Sequence, residues 1–402
     1  MLKNFPFVER NQNFIPKNKN ICLFGSGIIA KKTIDYFSNI KFKKIYDNSK
    51  NLWGQNFKNI KIYNPSKISK NEFIIITSTS YTEIAKQLFK KNLSPIKDFV
   101  ISPILNDIRA VSELENKKID VLFTSGAPPN KNKNYGGGLY KLEINNFKWK
   151  CRKLISGNCY GILKLLNKYY IVDEERGVIK LNKNLKIETI YKIQKNLRPH
   201  GLSYHKKSNN FYLNSTEQDA VYIYDKNFKF LNKIDISNKK KITGIKHHHI
   251  NDNLILGDSL YVSMFSYSGN YLKELYDGVI LEYDLNNLTS SPKIIKDNLW
   301  MPHNVKFFNK SLFVLNSLPG ELLGYNMQVI SKFSAFTRGL AYDGKYFFIG
   351  QSKNRNYSKY LGLNNNISID AGILMFDDST KVSRFFQLDP RISEVHSIEI
   401  ID

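Results

Sequence analysis

Cysteine is scarce in this chain: Cys22, Cys151 and Cys159 are the three in 402 residues. An odd number without metal-type spacing argues against a disulfide framework and against a thiolate zinc site. Cys22 falls in an apolar strand and reads as core. Long apolar runs are missing as well. None approaches the roughly 18 residues that would span a membrane, so no integral membrane segment is expected. The N-terminal stretch brings charge early, at Lys3, Glu9 and Arg10, and lacks an apolar h-region with a small-residue cleavage site, so no signal peptide is expected. A reducing, cytoplasmic setting is the simplest expectation. Acidic residues are few beside basic ones, 35 against 60, for a formal charge of +25. That balance raises nucleic-acid binding, but Lys and Asn are enriched throughout, as an AT-rich genome would produce, and no Arg-rich stripe or single-strand-binding motif is present. No specific nucleic-acid partner is expected, whereas attraction to anionic sugars, nucleotides or membrane surfaces fits. Ser-His-Asp and Cys-His nucleophile signatures are also missing.

What is present divides in two. After an N-terminal extension, 1–18, residues 19–102 alternate strand and helix signals. Asn20 to Phe24 is a short apolar strand, Gly25-Ser26-Gly27-Ile28-Ile29-Ala30 follows, and Lys31 to Phe37 is amphipathic. Further strands end at Asn48 and run from Phe73 to Ser78. Near-continuous apolar strands between helices predict a parallel sheet covered on both faces, an α/β Rossmann-like domain. The glycine turn is G-x-G-x-x-A between strand and helix, which allows close backbone approach to a phosphate. Asp47 lies 20 residues past Gly27, where a ribose-binding carboxylate is expected. Gly25, Ser26, Gly27 and Asp47 are therefore the candidate residues for a nucleotide or nucleotide-sugar.

The turn, with Tyr46-Asp47-Asn48, Trp53-Gly54, Tyr63-Asn64-Pro65 and Ile74 to Ser78, resembles the small Rossmann-like domain in front of bacterial sugar O- and N-acetyltransferases. The resemblance implies nucleotide-sugar binding and a place in surface-glycan biosynthesis. The hexapeptide β-helix that carries acetyl-CoA chemistry is absent, so acetyl transfer is not implied. Residues 103–117 read as a linker helix.

From 118 to 402 the helical period disappears and short strands of Val, Ile, Leu, Tyr and Phe recur between Asn, Lys, Gly and Asp. One pattern repeats six times. His200, His249, His303 and His396 each open a short hydrophobic run, and Arg338 and Tyr160 hold the same place in two more. Six copies of one strand start predict six copies of one unit. The last copy has room for one strand only, and the first stretch, from Ile119, supplies three. The C-terminal strand would complete that blade and close a six-bladed β-propeller.

Trp300-x-Pro302-His303-Asn304-Val305, Phe336-Thr337-Arg338-Gly339-Leu340-Ala341, Gly350-Gln351-Ser352-Lys353-x-Arg355 and His249-Ile250-Asn251 resemble a bacterial β-propeller family of unknown function. That resemblance implies the fold and no activity.

In a ring, the six strand starts converge at one mouth of the axis. His200, His249, His303 and His396 are the candidate ligands of a divalent metal (Zn, Mn, Fe or Ni), since neutral imidazoles suit these ions. Arg338 and Lys353 are candidates to bind an anion or stabilise an enolate. Glu217 and Glu321, at the ends of second strands, are further catalytic candidates on the same rim, with Asp173, Glu174, Asn214, Asn316 and Gln351 nearby. His247 and His248 are weaker candidates, and His205 reads as a surface residue. The expected function is a metal-assisted lyase, epimerase or hydrolase acting on a sugar or nucleotide-sugar, with glycan-pathway proteins as partners. A non-catalytic glycan-binding or scaffolding propeller and a nicotinamide-dependent oxidoreductase are the alternatives.

Overall fold

The computed structural model describes residues 15–129, 134–353 and 366–401. Most of the expected extension, 1–18, and Arg355 lie outside the described residues. The chain divides into two compact units, Met1–Glu113 and Leu114–Asp402.

The first unit is built on β1 (Asn20–Phe24), α1 (Ile28–Tyr36), β2 (Lys44–Tyr46), β3 (Asn56–Phe57), β4 (Ile60–Tyr63), β5 (Glu72–Ile76), α2 (Tyr81–Lys90) and β6 (Phe99–Ile101). The six strands form one sheet in the order β3-β4-β2-β1-β5-β6. Alternate residues of β1 and β5 enter two cores. Cys22, Phe24, Ile74 and Ile76 pack with Ile84 and Leu88, while Ile21, Leu23, Phe73 and Ile75 pack with Ala30 and Phe37.

The expected Rossmann-like α/β fold is corrected here to a small mixed sheet with few helices. β3 pairs with β4 antiparallel. The chain passes from β2 to β4 through that hairpin and a 3-10 turn, Lys50–Leu52, rather than a crossover helix. The physical reason is local. Gly54, Lys58 and Asn59 all take positive φ, and such residues break a helical period.

The second unit consists of six four-stranded antiparallel sheets. Five are consecutive in the chain. The sixth joins Ile398–Ile401 to Lys118–Pro129, Gly136–Asn145 and Lys148–Ser156, with Ile398 opposite Phe123 and Ile401 opposite Asp120. The innermost strands are Cys159–Leu165, Pro199–His205, Ile250–Leu256, Pro302–Phe308, Phe336–Tyr342 and Ile398–Ile401. Each touches the next, and the last touches the first, so the ring is closed. This is a six-bladed β-propeller in which the C-terminal strand covers what would otherwise be an open sheet edge.

Five inner strands share an irregularity. The pairing register slips between Cys159 and Ile162, Pro199 and Leu202, Ile250 and Asn253, His303 and Lys306, and Arg338 and Leu340. A bulge bends a strand and re-aims its side chains. Here it falls at or just after the repeated position, where neighbouring inner strands crowd the axis. A Cβ on Gly201 would lie 2.7 Å from Asp252 Cα, closer than atoms can pack.

Closure predicts an asymmetry in the last strand. Ile398 is fully buried in the core with Val121, Phe123 and Val395, whereas Ile400 is only partly covered. Ile398→Ala should cost about 2–5 kcal/mol, and Ile400→Ala clearly less. Urea unfolding of both variants checks this, and equal losses would contradict ring closure as the source of the stability.

Candidate functional site

The repeated positions meet at one mouth of the propeller. A cavity of about 250 Å³ is lined by Tyr160, His200, His249, His303, Arg338 and His396, together with Arg198, Asn251, Phe265, Tyr271, Tyr276, Lys353 and Glu394 among others. The rings stand close: Tyr160 stacks on His200 at 4.3 Å between centroids, and His200 lies 6.2 Å from His249 and 5.9 Å from His396.

His200 and His303 are each held by their own blade, and His249 by the neighbouring one. Nδ1 of His200 faces the Arg198 carbonyl and Thr216 Oγ1, both at 3.0 Å. Nδ1 of His303 faces the Met301 carbonyl at 2.9 Å and Ser317 Oγ at 2.7 Å. A carbonyl can only accept, so Nδ1 carries the proton in both, and Nε2 is left as the basic nitrogen. His249 takes φ +55°. Asp219 clamps this left-handed backbone by accepting the N–H of His249 at 2.9 Å, along with those of His247 and His248. The His249 ring stacks on Phe265 at 4.4 Å and leans on Tyr271 at 4.4 Å.

The opposite wall is charged. Arg338 pairs with Glu394 Oε1 at 3.5 Å, and Glu394 Oε2 meets His396 Nε2 at 2.9 Å. The Arg338 guanidinium also packs over the Phe336 ring, 4.8 Å from its centre. Counting Arg198 on the His200 side and Lys353, two arginines and a lysine line the cavity with one glutamate, and the cavity favours an anion.

Burial sets the protonation of the imidazoles. It pushes His200, His249 and His303 well below the ordinary value, helped by His396, His200 and Arg338 respectively. They are neutral at pH 7. Burial, with Glu174 beside it, pushes the Tyr160 phenol up to about 12, so Tyr160 is a donor rather than a base, and its hydroxyl donates to Glu174 at 3.0 Å.

Several expected site residues lie elsewhere. Glu217 does not line the cavity; it pairs with Lys240 and Lys246 at 3.5 Å. Glu321 accepts from Asn316 at 2.8 Å and faces Lys332, again outside it. Asp173, Asn214, Asn316 and Gln351 are bound into the blades, to Arg176, Asn253, the Trp300 N–H and the Asp370 carbonyl. His205, read as a surface residue, is buried between Ser208 and Asp258. His247 and His248 bond to Thr243 and Gly269, and to Ser237 and Ser266. No group of three His, Cys, Asp or Glu among the described residues is arranged to hold a metal.

The sequence reading missed Arg198, Glu394, Asn251 and the aromatic residues Phe265, Tyr271 and Tyr276. A signal for two of them existed. Arg198, Met301, Phe336 and Glu394, each two residues before a repeated position, all line the cavity, so the same spacing that marks the repeat also marks these residues.

In the first unit, Asp47 Oδ2 accepts from the N–H and hydroxyl of Ser26, at 2.9 and 2.7 Å, and Oδ1 from the Ser49 N–H at 2.9 Å. Burial works against its charge, but these bonds outweigh burial and hold the carboxyl below its usual range. Asp47 thus braces the turn formed by Gly25, Ser26 and Gly27. Gly25 takes φ +113°, and a Cβ there would lie 2.9 Å from the Thr77 carbonyl oxygen.

An axial cavity lined by histidine and arginine in a six-bladed propeller defines the class of protein. Residues 148–402 match the family described as Domain of unknown function (DUF4915), and the chain belongs to that family. Residues 17–97 match a second description, C2185-like, N-terminal. This corrects the expected kinship with sugar acetyltransferases, none of which was matched. No curated protein matches the chain. Among solved structures, a nidogen/laminin complex is similar at 10% identity and TM-score 0.50, over 71% of this chain and 98% of that one. A protein of unknown function from Bacteroides caccae follows at 11% and 0.46, over 70% and 99%. A candidate 6-phosphogluconolactonase from Bacteroides fragilis stands at 11% and 0.41, over 71% and 98%. At such identities the likeness concerns the fold alone. No helix among the described residues is long and apolar enough to cross a membrane.

The buried imidazoles predict a pH dependence of stability. Their folded-state values lie below the unfolded value of about 6.5, so the unfolded chain binds protons first as pH falls. Their contribution is complete above that value and is lost as pH falls from there through the folded values. The urea midpoint should hold between pH 8 and 7 and drop below pH 6.5, less steeply in His303→Gln. A midpoint as acid-sensitive in His303→Gln as in the parent would contradict this.

Proposed function

We propose that the propeller mouth is the active site of an enzyme that binds a small sugar acid and moves the proton next to its carboxylate. The observation that carries this reading is the pairing of Arg338, with Lys353 and Arg198, against neutral histidines in one cavity. In the order of blades, the strands bearing Arg338 and His200 stand three apart and so face each other across the ring. Arg338 and Lys353 would hold the carboxylate. Nε2 of His200 would take the α-proton, and the C–H electron pair would pass into the carboxylate as an enolate, which the cations stabilise. Return of a proton gives epimerisation; loss of a β-substituent gives elimination. The cavity volume of about 250 Å³ lies below the usual range of ligand pockets, roughly 300–1,000 Å³, and this favours a single-ring substrate.

Proton exchange tests this reading before any product is known. In D₂O, the C5 proton of D-glucuronate or D-galacturonate should be replaced in the presence of the protein, as followed by proton NMR. His200→Gln should slow exchange by roughly 100-fold or more, and Arg338→Met should weaken uronate binding by about tenfold or more. Binding without exchange for every uronate would replace the enzyme with a glycan-binding propeller.

A metal centre is a second reading, favoured by one observation: Nδ1 of His249 is buried without a hydrogen-bond partner. His200, His249, His303 and His396 would be the donors, and the metal would act as Lewis acid on the same carboxylate. Plasma mass spectrometry of tag-free protein decides between the two. Near-stoichiometric Zn, Mn, Fe or Ni that disappears in His200→Ala/His303→Ala supports the metal reading, whereas full activity without metal excludes it.

A further inference from the structure

The charged wall of the cavity accounts for an anion but not for Asn251. This side chain is 1% exposed, lines the cavity, and has both Oδ1 and Nδ2 buried without a partner among the described residues. Nδ1 of His249, two residues earlier, is in the same condition. The next amide in the strand differs in degree and place: Asn253 donates from Nδ2 to the Tyr212 carbonyl at 3.0 Å and to Asn214 Oδ1 at 2.6 Å, only its Oδ1 is left unpaired, and it does not line the cavity. Buried donors and acceptors are nearly always paired, because leaving one unpaired is costly. An amide that is buried, unpaired and open to a cavity is placed to pair with what enters it.

Asn251 offers a donor and an acceptor side by side, and a hydroxyl both gives and takes a hydrogen bond. The aromatic surface beside it, Phe265 and Tyr271 flanking His249, suits the C–H face of a ring. We infer that Asn251, with His249, reads the hydroxyl groups of the ligand, so that the site selects a hydroxylated ring carboxylate over a bare one. This rests on the anionic-ligand reading above and adds the specificity it leaves open.

Two probes of equal charge and ring size separate the ideas: D-glucuronate and cyclohexanecarboxylate, titrated calorimetrically into the full-length protein. The parent should bind glucuronate more tightly. Asn251→Leu, close in volume, should weaken glucuronate by about tenfold or more and leave cyclohexanecarboxylate unchanged or tighter. Asn251→Ala gives the same test with less bulk, and near-ultraviolet circular dichroism of both variants reports that the propeller is folded. If both probes bind the parent and the preference survives both substitutions, Asn251 does not read hydroxyls and the anion reading stands alone. A parent that prefers cyclohexanecarboxylate overturns the inference directly. A parent that binds neither probe overturns the anionic-ligand reading and this inference with it.

Discussion

Space on the propeller axis is the constraint on which the site depends. Six inner strands approach one another so closely that a Cβ on Gly161 would lie 2.4 Å from the His200 carbonyl oxygen. Small residues and register slips follow from that crowding, at or just after the repeated position in five blades. The bulge frees the strand start from the regular ladder and lets its side chain project over the mouth. The same crowding requires a closed ring. An open ring would leave the strand edge of Lys118–Pro129 unpaired, and Ile398–Ile401 occupies it.

The electrostatics of the cavity follow from its walls. Imidazoles shut in by neighbouring blades lose the solvation that would stabilise a proton, so three of them are neutral beside the guanidinium of Arg338. Arginine is charged in any protein setting, and Glu394 and the face of Phe336 lie against the Arg338 guanidinium. Burial thus keeps these bases neutral further into the acid range than exposed imidazoles would be. Asp219 contributes from outside the cavity, by holding the strained backbone that carries His249.

The first unit shows how a motif can be present without its usual surroundings. Gly25, Ser26 and Gly27 do form a tight turn between a strand and a helix, but the carboxylate 20 residues later closes back on Ser26. The spacing that suggested a ribose contact is satisfied within the protein. The hairpin of β3 and β4 also takes the place of a helix on one connection, and the sheet is mixed as a result.

The propeller was legible in the chain because blades repeat in sequence as they do in space. Strand periodicity and the recurring His, Arg or Tyr marked each inner strand, and the lone last strand implied closure. The ring of six candidates was legible for the same reason. Glu217 and Glu321 fall outside the cavity because they lie past the second strand, Glu217 in the turn after Asn210–Ser215 and Glu321 at the start of Glu321–Gly324, where lysines pair with them. Phe265, Tyr271 and Tyr276 come from one long irregular connection between Met264 and Gly278, whose path no period describes. The sequence by itself determined the number of blades and the residue repeated within two positions of each inner-strand start, because local alternation and repetition are written in the order of residues. Tertiary structure alone decided which nitrogen of His200 and of His303 carries the proton, which carboxylate faces Arg338, and that Asn251 is buried unpaired, because these depend on groups distant in sequence that folding brings together.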